Sequence, residues 1–421
     1  MLDELSQDCT GSEAPDQKSH SQRRREVARE HQLRSIELIQ KKETDRATGP
    51  VTNSPEVYTD PLWAEAERRQ VFLKLPLLAA MSFDIPEPGD KVLFEAAGPP
   101  VLIVRASDGG VNAFLNMCTH RAAKLVTECT PGSRMTCPFH AWTFDLEGKL
   151  IGLPGKKGFE GVEKADRGLI RVPVVEWHGM IFVKATPGED EIDIEGFLGD
   201  LAPELIQLEF ETMRLVKETT LQIDANWKYA LDTYGEAYHF TALHPASIGG
   251  SHYTDVMCYD DFDPHHRIAF PYLHVGEYAN RPADEWPEED YNAIHLLFPN
   301  VIINIWQLPE GHAYSIYRLF PGDRPDRGFT LTATYRPAHA DPAASDQPWI
   351  DLHDYIEEIV VNEDYSVSRD GQANLRHAPE GFRVLYGNNE IALQNYHRRM
   401  ETLVRADPAA AALSSIGTAA V

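Results

Sequence analysis

The 421-residue sequence is poor in the features that mark secreted, membrane-embedded and nucleic-acid-binding proteins. It has only five cysteines, and nothing in their spacing supports a disulfide framework. No apolar run approaches the length of a membrane span, and the polar, charged N-terminus lacks a secretory signal. The formal net charge of −26 argues against nucleic acid as a partner. We therefore expect a cytoplasmic protein that binds neither membranes nor nucleic acids.

Length and local composition predict two domains between two polar ends, because one hydrophobic core rarely spans so long a chain. Residues 1–60 form a polar arm with a predicted helix at Arg23–Lys42 and a proline-rich linker after it. The first domain is placed at residues 61–185 and the second at residues 186–405. Residues 406–421, rich in alanine and serine, are expected to form a flexible tail.

The first domain reads as a succession of short β-type runs separated by turn residues. Many short strands with regular turns predict an antiparallel β-sandwich. The predicted strands are Lys91–Glu95, Val101–Arg105, Val111–Leu115, Arg134–Cys137, Thr143–Leu146, Leu169–Glu176 and Met180–Lys184.

Two short Cys/His pairs fall on loops of this sandwich. One is Cys118-Thr119-His120, and after sixteen residues comes Cys137-Pro138-Phe139-His140. Zinc fingers usually place both cysteines in one knuckle and both histidines in another. Here each knuckle carries one of each, as in a Rieske [2Fe–2S] centre, where two cysteines hold one iron and two histidines the other. The alternatives are a structural zinc site or four unrelated residues.

A second constellation lies about a hundred residues further on. We predict a helix over Trp227–Tyr238, which would place Glu236 and His239 on one face. Because the residue before a proline is pushed out of the α region, Pro245 lets the ring of His244 turn back towards His239. Two histidines and one carboxylate form the facial triad of non-haem Fe(II) oxygenases. Taken alone, the pair also fits histidines of the core or the surface.

The run Cys118–Arg121, followed by Cys137–Asp145, resembles the Rieske domain of the aromatic ring-hydroxylating oxygenases. The second constellation stands where that family binds its mononuclear iron, and the resemblance covers roughly residues 60–400. It implies the large (alpha) catalytic subunit and an α+β fold. That fold comprises an antiparallel β-sandwich Rieske domain and a catalytic domain whose antiparallel sheet is covered by helices.

The resemblance also implies the residues of the iron site. His239 and His244 match the two iron-ligating histidines of the family. We expect Asp364 to be the third ligand, because Gln372 follows it by eight residues, as in similar oxygenases. The alternative is its neighbour Glu363.

A further implication concerns electron transfer. Glu236 stands where the family carries the acidic residue that bridges the two metal centres. In that family the bridge joins an iron-ligating histidine to a cluster histidine of a neighbouring subunit, here His120 or His140. A carboxylate suits this role because it accepts an imidazole N–H on either side. A ring-shaped homotrimer is implied.

The expected function is the terminal oxygenase component of a multicomponent system. It would use O₂ and NAD(P)H-derived electrons to hydroxylate, dihydroxylate or oxidatively dealkylate an aromatic or other apolar substrate, as in aromatic hydrocarbon catabolism. The electrons would arrive from a ferredoxin, a reductase or both, since no GxGxxG fingerprint is present. A beta subunit is an open possibility. The rival hypotheses are a Rieske-type electron carrier without oxygenase activity and a zinc-stabilised binding protein.

The chain departs from the family pattern near the cluster. Ala122 and Ala141 stand where glycine is usual, and alanine fits if neither position needs a positive φ. Phe139 stands where tyrosine is usual. Because a hydroxyl donor is lost there, we expect a lower reduction potential of the cluster.

Overall fold

The computed structural model describes residues 19–287, 293–338, 345–410 and 417–418. The first eighteen residues and most of the predicted tail lie outside these ranges. None of the described helices combines the length and hydrophobicity that crossing a lipid bilayer requires. The helices are α1 (His20–Lys41), α2 (Glu56–Thr59), α3 (Pro61–Glu67), α4 (Ile194–Leu198), α5 (Ala202–Ile206), α6 (Trp227–Asp232), α7 (Phe240–Leu243), α8 (Val275–Tyr278), α9 (Gln347–Ile359), α10 (Tyr365–Leu375) and α11 (Ile391–Val404).

The strands form antiparallel sheets. Before residue 185 they are β1 (Val51–Asn53), β2 (Leu77–Met81), β3 (Lys91–Phe94), β4 (Val101–Arg105), β5 (Val111–Leu115), β6 (Met135–Thr136), β7 (Thr143–Phe144), β8 (Leu150–Gly152), β9 (Val174–Trp177) and β10 (Met180–Val183). The later strands are β11 (Met213–Ile223), β12 (Cys258–Phe262), β13 (His265–Ala269), β14 (Ala293–Leu297), β15 (Val301–Leu308), β16 (Gly311–Pro321), β17 (Gly328–Pro337), β18 (Val384–Tyr386) and β19 (Gly417–Thr418).

The N-terminal arm packs against the second domain. Helix α1, which confirms the predicted helix, begins with a capping box at Ser19. Arg34 on this helix pairs with Asp260 of β12. Beyond α1, the segment predicted as a linker contains β1, which pairs with β18 and β19. The Tyr58 side chain is fully buried. The arm is therefore an integral part of the fold.

The first domain consists of three three-stranded sheets, in the orders β2-β10-β9, β3-β4-β5 and β6-β7-β8. Every residue of β4 is buried, which agrees with its run of β-branched and aliphatic residues. The predicted strands are confirmed here with ends that differ by a few residues. The exception is the run predicted at Leu169–Glu176, whose strand begins only at Val174.

The second domain is built on one seven-stranded antiparallel sheet in the order β11-β17-β16-β15-β14-β13-β12. The apolar run Leu296–Trp306 does not form one continuous strand, because a turn at 298–300 divides it between β14 and β15. Pro299 lies at that turn and has no N–H to offer a sheet. Helix α9 packs across β17 and β11, where His353 contacts Thr334 and Thr219 at 2.9 and 3.1 Å.

The two Cys/His knuckles have the same backbone geometry. In each, the cysteine N–H donates to the carbonyl five residues on, and its carbonyl accepts the N–H four residues on. That fourth residue is Ala122 in one knuckle and Ala141 in the other, with φ of 58° and 55°. Alanine was expected to fit without strain only if neither position needs a positive φ, and both positions have one. Each alanine adopts the left-handed region, which costs roughly 1–2 kcal/mol for an L-residue.

We expect Ala122→Gly and Ala141→Gly each to stabilise the first domain by about 1 kcal/mol, because glycine adopts this φ without strain. The temperature at which the visible absorbance is lost on heating measures the effect. The control is Ala123→Gly, at a neighbouring position without a positive φ, which should lower that temperature. A fall in the temperature for both knuckle variants would contradict the prediction.

Candidate metal centres

The four predicted cluster residues lie together at the tips of the two knuckles. Cys118 and Cys137 are buried, and neither forms a disulfide. The rings of His120 and His140 lie with centroids 4.7 Å apart. The indole of Trp142 stacks on His120 at 4.8 Å with an interplanar angle of 9° and so fixes the ring.

The chemistry of this donor set fits a two-iron cluster. Burial raises the pKa of the Cys118 thiol, and the neighbouring Cys137 raises it further. A metal bound between the two sulfurs would replace those protons. The Nδ1 atom of His140 is buried and has no hydrogen-bond partner within the described ranges. A buried imidazole nitrogen without a partner is costly unless it binds something, and a metal satisfies it.

The second constellation is positioned by two short helices, not by the predicted long one. Helix α6 ends at Asp232, so Glu236 and His239 do not share a helical face. Gly235, a poor helix former, follows the end of α6 and packs closely on Leu393, since a Cβ there would lie 2.3 Å from Leu393 Cδ2. Oε2 of Glu236 instead accepts the backbone N–H groups of Tyr238 and His239. Its Oε1 contacts Nδ1 of His239.

His244 occupies the position expected of it. Helix α7 ends just before it, and its φ and ψ of −111° and 39° lie outside the α region, as Pro245 predicts. Its ring centroid lies 5.0 Å from that of His239. Nδ1 of His244 contacts the carboxylate of Glu363, which also accepts a hydrogen bond from Ser247 Oγ at 2.8 Å.

Asp364 lies at the end of a π-helical turn, Val360–Asp364, between α9 and α10. Such turns are frequent at functional sites. Oδ1 of Asp364 lies 3.6 Å from Nε2 of His239 and 3.4 Å from Nε2 of His244. The sequence marker Gln372 is buried and accepts the Asn226 N–H at 3.0 Å, so it anchors the start of α6.

These three side chains form a fitting site for a divalent metal ion. His239, His244 and Asp364 offer ligand atoms that all lie within 4.8 Å of one another, and no other such group of three occurs among the described residues. Burial of His244 alone would lower its pKa, but the Asp364 and Glu363 carboxylates outweigh it, and the pKa is raised. The site thus stabilises positive charge. A two-histidine, one-carboxylate set is the donor set of a mononuclear Fe(II) centre.

A cavity opens directly onto this set. Its walls are largely apolar or aromatic, and one side of it is open to solvent. His239, His244, Asp364 and Glu236 lie in its lining. The remaining lining residues are Thr233, Tyr234, Phe240, Ile248, His252, Phe270, Ile294, Asn304, Trp306, Tyr317, Ile356, Ile359 and Val360.

All eight residues predicted from the sequence thus fall into two groups, one in each domain. The sequence argument missed the position of Glu363. It contacts His244 from the side away from Asp364, instead of competing with Asp364 for a metal. Asn304 of the cavity wall lies in an apolar run and was not singled out from the sequence. A carboxylate adjacent to Asp364 was the only available signal for the first, and nothing local marks the second.

We expect Glu363→Ala to lower the iron affinity of this site by about 10–100-fold, because the imidazole loses the partner that fixes its tautomer and orientation. The measurement is iron release against a chelator, while the visible spectrum reports the cluster. Glu358→Ala, at an exposed position of α9, is the matched control. Equal iron retention in the two variants would rule out the holding role of Glu363.

Comparison with known proteins agrees with this two-site arrangement. A family model described as Rieske [2Fe-2S] domain matches residues 76–172, and one described as ring hydroxylating alpha subunit (catalytic domain) matches residues 210–406. The glycine betaine monooxygenase oxygenase subunit of Chromohalobacter salexigens is 30% identical over 207 residues, which are 49% of this chain and 45% of that protein. The chain thus spans about half the length of the relatives it matches by sequence.

Two solved structures share the fold. A quaternary ammonium Rieske monooxygenase in complex with L-carnitine superposes with a TM-score of 0.70 at 20% identity, over 85% of this chain and 96% of that one. Naphthalene 1,2-dioxygenase from a Rhodococcus species superposes with a TM-score of 0.68 at 17% identity, over 90% of this chain and 99% of that one. The two family models occur in the same order as the two donor sets and together cover more than two thirds of the chain. The chain therefore belongs to the alpha subunits of the Rieske non-haem iron oxygenases.

Proposed function

We propose that this chain is the terminal oxygenase component of a multicomponent Rieske oxygenase. The observation that carries the proposal is the set His239, His244 and Asp364, whose ligand atoms lie within 4.8 Å of one another at the wall of a largely apolar cavity. An electron carrier needs only the first domain and would leave this set and its cavity without a use. The electron-carrier alternative is therefore disfavoured.

The two donor sets divide the work. Cys118, Cys137, His120 and His140 would hold the [2Fe–2S] cluster, and His239, His244 and Asp364 the Fe(II). When bound, these centres would supply one-electron transfer and the activation of O₂. Three protein ligands leave coordination positions open for O₂.

The protein's own residues orient the reaction. Glu236 and Glu363 hold the Nδ1–H of His239 and His244, so that each Nε2 faces Asp364. The aromatic walls, including Phe240, exclude water and place an apolar substrate beside the ligand set. Hydroxylation, dihydroxylation and oxidative dealkylation are all compatible with this arrangement.

We place the protein in the cytoplasm, with a ferredoxin, a reductase or both as electron donors. The absence of a GxGxxG fingerprint supports a separate donor. An aromatic hydrocarbon is one substrate class that suits the cavity walls. The L-carnitine and glycine betaine named for the relatives offer a second class, quaternary ammonium compounds.

We further propose a homotrimer in which Glu236 accepts a cluster histidine of a neighbouring chain. Large apolar side chains are exposed beside both sites: Phe139 is 55% exposed next to His140, and Tyr238 is 63% exposed next to His239. Exposed aromatic residues of this size favour a protein interface.

We expect His239→Ala to abolish substrate turnover while the visible spectrum of the cluster is unchanged, because only the iron site loses a ligand. O₂ uptake with a reconstituted electron-donor system measures turnover. Thr241→Ala, at an exposed position of α7 close to His239, is the control and should keep its turnover. Full activity of His239→Ala would reject the oxygenase assignment.

Mixing two inactive variants tests the path between subunits. Cys118→Ser removes the cluster and His239→Ala removes the iron, so each alone should be inactive. Co-expression in equal amounts should restore about a quarter of the wild-type rate if each electron crosses to a neighbour in a random trimer. The control is the double variant, which carries Cys118→Ser and His239→Ala in the same chain and is expressed alone. No recovery, from mixed oligomers shown to carry both chains, would place the path within one chain.

A further inference from the structure

The cavity beside the iron-site residues has walls that suit an apolar molecule. Phe240, Phe270, Trp306 and Tyr317 supply aromatic faces, and Ile294 adds an aliphatic one. The indole N–H of Trp306 is already engaged, since it donates to Ser315 Oγ at 3.1 Å. These rings therefore present mainly carbon to the interior, and a ligand gains affinity there through burial of its own apolar surface.

The charged groups of the lining are of one sign. Glu236 and Asp364 are its carboxylates, and no lysine or arginine occurs among the lining residues that the structure describes. Both carboxylates already serve the histidines, through Nδ1 of His239 and through Nε2 of both imidazoles. With Fe(II) bound, the carboxylates of Asp364, Glu236 and Glu363 would still outweigh the two positive charges of the ion. A ligand carboxylate would therefore lose its water without gaining a net cationic partner, which is costly.

One buried polar atom of the described wall has no hydrogen-bond partner. Asn304 on β15 is 7% exposed, and its Oδ1 is buried without a hydrogen-bond donor in the described parts of the chain. The neighbouring polar side chains on the same face of the sheet have hydrogen-bond partners. Ser315, which is paired with Asn304 across the strands, lies 3.4 Å from Thr334, and Thr334 lies 2.9 Å from His353.

A buried amide oxygen in an apolar wall is unfavourable unless something donates to it. The orphan atom lies on the lining of the cavity, so a bound ligand is able to supply the missing donor. The same site would reject a ligand of equal shape that lacks the donor, because Asn304 would then stay buried and unpaired.

We propose that Asn304 determines substrate specificity by accepting a hydrogen bond from an N–H or O–H group of an otherwise apolar, uncharged ligand. The substrate class is thus a hydroxylated or N–H-bearing aromatic compound. Carboxylate-bearing molecules, including zwitterionic betaines, are disfavoured. This inference rests on the proposed function, because it takes the cavity to be the substrate site.

The test uses three bicyclic probes of similar size: 2-naphthol, naphthalene and 2-naphthoate. Their dissociation constants are measured by equilibrium dialysis against oxidised holoenzyme without an electron donor, so that binding is read without turnover. We expect 2-naphthol to bind about tenfold more tightly than naphthalene, in line with one hydrogen bond to an otherwise unpaired group. The affinity for 2-naphthoate should be lower still.

Asn304→Leu should remove the preference for 2-naphthol over naphthalene while naphthalene binds as before or better. Asn304→Ala serves as a second variant in case the larger side chain disturbs the sheet. The matched control is Gln307→Leu, the same change of amide to leucine on the exposed side of the same strand. It should leave all three dissociation constants unchanged.

Three results would overturn the proposal. The first is an unchanged preference for 2-naphthol in both Asn304 variants. The second is binding of 2-naphthoate as tight as that of 2-naphthol. The third is the absence of any preference for 2-naphthol in the wild type, whether all three probes bind equally or none of them binds. A buried water as the partner of Asn304 would give equal binding of 2-naphthol and naphthalene. O₂ uptake is measured separately, so that selective binding without O₂ consumption would count against the oxygenase function alone.

Discussion

The carboxylate behind each imidazole is the interaction on which the iron site depends. His239 and His244 come from a segment with little regular structure, since α6 ends at Asp232 and α7 has only four residues. Such a loop would not by itself hold the two imidazole rings in a fixed relative orientation. Glu236 contacts Nδ1 of His239 and Glu363 contacts Nδ1 of His244, so both Nε2 atoms are aimed at Asp364. Because these hydrogen bonds fix tautomer and orientation together, they organise the ligands in advance of the metal.

The start of that loop is anchored by buried polar groups around α6. Lys228 and Glu67 form an ion pair that is almost completely buried, and Glu67 also accepts the indole N–H of Trp227 at 3.2 Å. Removing one partner of such a pair typically costs about 3–5 kcal/mol, because the other charge is left buried. At the C-terminal end of α6, Asp232 accepts a hydrogen bond from the Tyr58 hydroxyl of the N-terminal arm at 2.5 Å. The arm thus stabilises the segment that carries His239 and His244.

The sequence predicts well those features that depend on residues close together in the chain. The cluster residues lie within two tight turns, and the alternation of short apolar runs with turn residues predicts most strands of the first domain. Other features depend on contacts between distant segments. Gly235, just after α6, packs on Leu393, and the contact between Glu363 and His244 joins residues 119 positions apart. The positive φ of Ala122 is set by the hydrogen bonds of its knuckle, which residue type does not indicate.

The central claim is that one chain holds a cluster and, separately, a mononuclear iron bound by His239, His244 and Asp364. Iron content per chain tests it most directly when read together with visible absorbance. We expect about three irons in the wild type and about two in Asp364→Ala, with the red-brown spectrum of the cluster unchanged in both. Three irons in Asp364→Ala, or only two in the wild type, would contradict it.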